Sequence, residues 1–310
     1  MESDQTMWDF GTIEEWEQEK KRIAATWQNI LGHGPKQREV TGFKTISSEE
    51  TGDCVRDKIQ YDVYPGCTVE AYLIRPAEVD KQYPGIVCLH QTCDENIEES
   101  AGLAGSPELD IGLQLAQRGF VTISPRCFLW NSEGQIWAKA VARLKQDFPA
   151  WTGMGKMLWD AQCAVDVLCS LPYIEPQLIG AIGHSLGGKE AFYLAAFDPR
   201  VKAAVCSEMG IGIDMSNWDA EHYLGAAVSR PGFPSSHHEV LALIAPKPFL
   251  LIGGDNADGK LSDELYIRQV KPLYQLYGAE TKLKFFNHHQ QHTFPKVAQD
   301  AAYAWLAEWL

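Results

Sequence analysis

One short stretch constrains this chain more than any other: Gly183-His184-Ser185-Leu186-Gly187, followed by Gly188. An apolar run, Leu178-Ile179-Gly180-Ala181-Ile182, precedes it. A helix-like run, Glu190-Ala191-Phe192-Tyr193-Leu194-Ala195-Ala196-Phe197, follows. Strand, G-x-S-x-G and helix in that order form a nucleophile elbow. The turn is so tight that the residues two before and two after the serine must lack side chains, and Gly183 and Gly187 meet that demand. Such a turn lifts the Ser185 hydroxyl to the top of a sheet and aims the first helical N–H groups at its surroundings. A five-residue pattern recurs by chance. The flanking strand and helix give it weight, and so do the acid and histidine that should come later in the chain.

The rest of the chain supplies a frame for that turn. From residue 84 onward strand-like and helix-like runs alternate. The strand candidates are 85–90, 120–124, 178–183, 201–207, 249–253 and 283–287, and the helix candidates are 108–118, 154–170, 186–197, 262–277 and 297–310. Alternation of this kind predicts an α/β fold: a mostly parallel central sheet with helices on both faces. Ahead of it, 54–75 has strand character on either side of Pro65-Gly66, which reads as a hairpin at one edge of the sheet. Residues 1–50 read as an N-terminal helical extension. Thr12 and Glu15 make a capping box, Ile13, Trp16, Ile23, Trp27, Ile30 and Leu31 recur at helical spacing, and Gly32 ends the run. The stripe should pack on the body, 51–310, and it leaves self-association into a homo-oligomer open. Two segments break the rhythm after strand ends, 126–153 and 209–246. Both carry aromatics, among them Trp130, Trp137, Trp218 and Tyr223, and both fall where open α/β sheets bind ligands.

A serine is a poor nucleophile until a base takes its proton, and the base needs a carboxylate to hold its tautomer. In this architecture the order is serine, acid, histidine. The last strand runs into His288-His289-Gln290-Gln291-His292-Thr293-Phe294-Pro295. His292 is the preferred base because it lies several residues past the strand, with Phe294-Pro295 leading into the final helix; His288 and His289 sit nearer the strand end. For the acid, Phe249–Gly253 leads into Asp255-Asn256-Ala257-Asp258. Asp258 is preferred because it lies far enough out for its loop to fold back. Asp255 is an alternative, as is Glu208 at the end of the preceding strand. Two backbone donors should face the developing oxyanion: the N–H of Leu186, and one from the turn after Gly85–His90, where Thr92 is preferred and Gln91 is close behind. The histidine loop has no H-E-x-x-H and no third ligand at sensible spacing, so a zinc site is not expected, and acyl transfer through a serine needs neither a metal nor an organic cofactor.

Composition narrows the partners. The formal net charge of −14 repels phosphate backbones and anionic lipid, which argues against nucleic acid and membrane surfaces. No apolar run approaches the ~18–20 residues that span a bilayer, and the acidic start, Met1-Glu2-Ser3-Asp4, does not read as a signal peptide. None of the eight cysteines forms a C-x-x-C pair. Free, mostly buried thiols in a cytoplasmic protein are the expectation.

With these parts in place, the chain resembles the α/β-hydrolase superfamily, and within it the dienelactone-hydrolase and acetyl-xylan-esterase-like branch. The resemblance covers roughly 55–310. It rests on Leu89-His90-Gln91-Thr92, the elbow, Leu243-Ile244-Ala245-Pro246-Lys247-Pro248-Phe249-Leu250, and the loops of Asp258 and His292. It implies an α/β-hydrolase fold and a serine carboxylic-ester hydrolase acting on a small ester through Ser185, His292 and Asp258. Dienelactone hydrolases proper carry a cysteine where Ser185 stands. An amidase or peptidase with the same triad, and a binding protein of this fold without chemistry, are the competing readings.

Overall fold

The computed structural model describes Trp8 and residues 10–38, 42–130, 137–255 and 262–310. Among these residues nine strands form one sheet: β1 (Lys44–Thr51), β2 (Cys54–Tyr64), β3 (Cys67–Pro76), β4 (Tyr83–Leu89), β5 (Val121–Pro125), β6 (Ile174–His184), β7 (Val201–Ser207), β8 (Phe249–Gly253) and β9 (Leu283–Asn287). Their spatial order is β1-β2-β3-β5-β4-β6-β7-β8-β9. The first three strands are antiparallel to their neighbours, and every pair from β5 onward is parallel. This is the expected hairpin edge on a parallel α/β sheet.

The helices are α1 (Ile13–Leu31), α2 (Ile97–Ser100), α3 (Ile111–Ala116), α4 (Trp137–Asp147), α5 (Gly153–Ser170), α6 (Leu186–Phe197), α7 (His237–Ile244), α8 (Ser262–Leu276) and α9 (Lys296–Trp309). They cover both faces, and the strands show it. In β4, Val87 and Leu89 point into a core shared with α5 and α6, while Ile86 and Cys88 point into one shared with α3 and α9. In β8, Phe249 and Leu251 face the first side and Leu250 and Ile252 the second. Strands buried on both faces read as continuous apolar runs, which is why the central strands were visible in the sequence.

Two features depart from the sequence reading. Residues 44–51, which the sequence groups largely with the helical extension, form β1 and pair with β2. The strand is exposed almost throughout and polar, so it lacks the apolar alternation that betrays a strand; its charges suit an open edge. The two long segments also hold helices of their own, α4 in 126–153 and α7 in 209–246. The extension itself folds as expected. Thr12 and Glu15 form the capping box, and Trp16, Ile23, Trp27 and Leu31 are buried. Trp27 stacks on His237 at 5.4 Å and donates from Nε1 to Glu239 at 2.8 Å. Gly32 ends α1 at φ 79°, where a Cβ would lie 1.8 Å from the Ala150 carbonyl oxygen. Among the described residues no helix is long and apolar enough to cross a membrane, and all eight cysteines are free.

Candidate active site

Ser185 sits between β6 and α6 at φ 56°, ψ −117°, a backbone conformation that an L-residue holds only when its surroundings impose it. The surroundings do so. A Cβ on Gly183 would lie 2.1 Å from the Gly187 carbonyl oxygen, and one on Gly187 would lie 1.9 Å from that of Leu89. The Ser185 N–H donates to the Ser207 carbonyl at 2.8 Å, which ties the turn to β7. The closeness of Gly187 to Leu89 also presses the start of α6, and with it Leu186, against the end of β4, so the His90-Gln91-Thr92 turn begins beside the elbow.

His90 fixes that turn. Its Nε2 accepts from the Cys127 N–H at 3.1 Å, so the ring proton is on Nδ1, which donates to the Gln91 carbonyl at 2.7 Å. Burial pushes its pKa down to about 4, so the ring stays neutral and keeps this tautomer at neutral pH. Gln91 is held a second time, its Nε2 donating to the buried Glu99 at 3.0 Å.

His292 Nε2 lies 2.9 Å from Ser185 Oγ. The carboxylate facing its other nitrogen is Glu208, with Oε2 3.5 Å from Nδ1. That is long for a formed hydrogen bond, and such contacts commonly tighten when substrate binds. Asp258, the acid preferred from sequence, lies outside the described residues. Asp255 faces other partners, accepting from Asn287 Nδ2 at 3.0 Å and lying 3.3 Å from His289 Nδ1.

Glu208 ends β7 with φ 51° and is buried at 6% exposure. Its N–H donates to the Ile252 carbonyl at 2.8 Å. Its Oε1 lies 2.8 Å from His288 Nε2. Because His288 Nδ1 accepts from the Gln290 N–H at 3.2 Å, the His288 proton is on Nε2 and is donated to Glu208. A Cβ on Gly254 would come within 2.7 Å of Glu208 Oε1 and 2.2 Å of the Gln290 carbonyl, so only glycine leaves room for this arrangement. One carboxylate thus meets both histidines, one on each oxygen. Beneath them His184 packs at 5.0 Å on the His292 ring. Burial, then the neighbouring His292 and His288, push its pKa down to about 3, so it adds no charge.

The aromatics of the two long segments form a chain of ring contacts leading away from the β4 turn: His90 to Trp130 at 4.9 Å, Trp130 to Trp137 at 5.2 Å, Trp137 to His222 at 4.9 Å and His222 to Tyr223 at 4.3 Å. Trp218 and His237 are instead fully buried core. Among the described residues one grouping has metal-ligand spacing, Cys93, Glu95 and Glu99, with ligand atoms within 4.8 Å of one another. Glu99 there is already occupied by Gln91 and by the Ser106 N–H.

Comparison with known proteins agrees with this fold. The profile of the Dienelactone hydrolase family matches residues 69–207, which run from β3 through the elbow to the end of β7. In sequence the chain is 24% identical over 296 residues to "Putative hydrolase YtaP" of Bacillus subtilis, covering 91% of this chain and 96% of that one. In structure it is similar to a glucuronoyl esterase from Solibacter usitatus, with a TM-score of 0.74 at 15% identity over 96% of this chain and 93% of that one. It is also similar to a "putative acetyl xylan esterase" from Bacteroides fragilis, with a TM-score of 0.69 at 17% identity over 91% and 77%. The chain has the α/β-hydrolase fold, and its stretch 69–207 is similar to the Dienelactone hydrolase family.

Proposed function

We propose that this protein is a serine-dependent carboxylic-ester hydrolase. One observation carries the reading: His292 stands within hydrogen-bond distance of the elbow serine and turns its other nitrogen toward a buried carboxylate. In the proposed cycle Ser185 attacks the ester carbonyl while His292 Nε2 accepts its proton. The same proton then goes to the departing alkoxide, and water repeats the steps on the acyl-enzyme. Glu208 orients His292 and stabilises the imidazolium. The N–H of Leu186 and one from Gln91 or Thr92 hold the oxyanion, each donor worth about 3 kcal/mol of transition-state stabilisation. His288 acts through Glu208 as a positioning residue. All these groups come from one chain, so the reading asks for no second copy and no cofactor. The substrate class is a small ester; the named activities of the similar esterases make esters of sugars and sugar acids the first to assay. Free thiols accord with a cytoplasmic setting.

The test is hydrolysis of p-nitrophenyl esters from acetyl to decanoyl, beside matched anilides, by the wild type and by Ser185→Ala. The expected outcome is ester turnover that falls at least ~10³-fold in the variant, with the fold intact by circular dichroism. Unchanged turnover in Ser185→Ala would refute the assignment, and preferential anilide cleavage would favour the amidase reading.

A further inference from the structure

A cavity of about 480 Å³ opens between the turn of the β2–β3 hairpin, α4 and the segment that follows β5. Arg126 and Phe128 line it and flank Cys127, the residue whose N–H is held by His90. One wall of the cavity is therefore the segment that fixes the Gln91 turn. β3 runs antiparallel to β5 with Ala71 opposite Pro125, so the hairpin turn projects past the same strand ends that carry Ser185.

The charge of this lining runs against that of the whole chain, which is −14. At the floor Lys156 is buried at 2% exposure, bonded to Asp160 and set over the Tyr64 and Phe128 rings at 5.4 and 5.8 Å. On the wall Arg126 is paired with Glu70 at 2.9 Å. Lys139 and Arg143 are different. One turn apart on α4, they face the cavity, and among the described residues neither has a carboxylate within 4.0 Å. Gln60 and Thr68 add amide and hydroxyl groups.

We propose that this cavity is a subsite for the free carboxylate of a small hydroxylated ligand, an acidic sugar. It is distinct from the carbonyl that reacts at Ser185, and it rests on the hydrolase reading only in treating that ligand as part of a substrate. Lys139 and Arg143 meet the carboxylate; Arg143 offers the bidentate fork that suits it. Glu70 and Asp147, also in the lining, accept from ring hydroxyls and repel a phosphate dianion. The volume lies in the range of small-ligand sites.

Calorimetric titration of the full chain with methyl β-D-glucuronide, whose carboxylate is free, methyl β-D-glucoside and inorganic phosphate tests this. The glucuronide is expected to bind at least about tenfold more tightly than the glucoside or phosphate. Lys139→Gln/Arg143→Gln should lose that preference, Lys139→Arg/Arg143→Lys should retain most of it, and Ser185→Ala should bind as the wild type does. Equal affinity for the two sugars, phosphate binding as tightly as the glucuronide, or a double glutamine variant with unchanged preference would each overturn the proposal. Binding is read without turnover. A wild type that binds the glucuronide yet hydrolyses no p-nitrophenyl ester would refute the hydrolase reading alone, and one that hydrolyses esters without discriminating the sugars would refute the subsite alone.

Discussion

Two buried glutamates lie close in sequence and opposite in circumstance. Glu208, at the end of β7, is 6% exposed and meets a histidine on each oxygen. Glu190, on α6, is 4% exposed, and its Oε1 has no hydrogen-bond partner among the described residues. Burial pushes the Glu190 pKa up to about 8; Asp160 adds to the rise, against the pull of Cys127 and Lys156. The backbone positions explain the difference. Glu208 stands at a strand end with a left-handed φ, where loops from β8 and β9 converge and histidines can reach it. Glu190 is inside a helix packed between sheet and α5, where only its immediate neighbours are available. Depth alone does not decide what a buried carboxyl can do; the partners delivered to it do.

The largest test of this contrast is Glu208→Gln. It keeps the shape but cannot hold the Nδ1 proton of His292 in place, and a ~10³–10⁴-fold fall in kcat is expected with little change in melting temperature. Asp258→Asn measured beside it separates the two candidate acids: if that variant falls as far and Glu208→Gln stays near wild type, the acid is Asp258. His288→Asn should fall by ~10–100-fold in kcat with KM nearly unchanged, because His288 acts only by orienting Glu208. A drop confined to KM would put His288 against substrate instead.

The smallest effect on activity, and the clearest on stability, belongs to Glu190→Gln. The folded state keeps the Glu190 proton up to about pH 8, whereas the unfolded chain releases it near pH 4.3. Between those values the unfolded state binds fewer protons, so this group lowers stability as pH rises, by at most about 1.4 kcal/mol per pH unit. Glutamine cannot titrate. The variant should therefore match wild type near pH 4 and gain stability over it progressively toward pH 8, as denaturant unfolding would report. A variant destabilised equally at both ends would mean that Glu190 is charged and paired.

The sequence made part of this legible. Glycine spacing revealed the elbow because sterics permit little else at Gly183 and Gly187. His292 was legible because its loop length and the Phe294-Pro295 boundary fix its reach. The carboxylate was harder. Asp255, Asp258 and Glu208 all follow strand ends, and what favours Glu208 in the described structure is a φ of 51° and a glycine at 254, neither of which announces itself in composition. His288 looked like a loop residue because its role depends on the Gln290 N–H setting its tautomer. His90 belonged to a motif, but its bond to Cys127 joins two strand ends 37 positions apart. β1 stayed hidden because a strand wetted on both faces carries no period-two apolar signal.

The docking of α1 has a consequence for how the chain is made. Trp27 of α1 reaches its partner Glu239 across 212 positions, and Leu31 reaches Thr152 across 121. At ~5–20 residues per second, a ribosome that has completed α1 needs roughly 10–40 seconds more before α7 exists to receive it. Throughout that interval two tryptophans, an isoleucine and a leucine present one apolar stripe to water or to whatever shields the nascent chain. A helix made before every strand of the sheet is thus among the last to find its place.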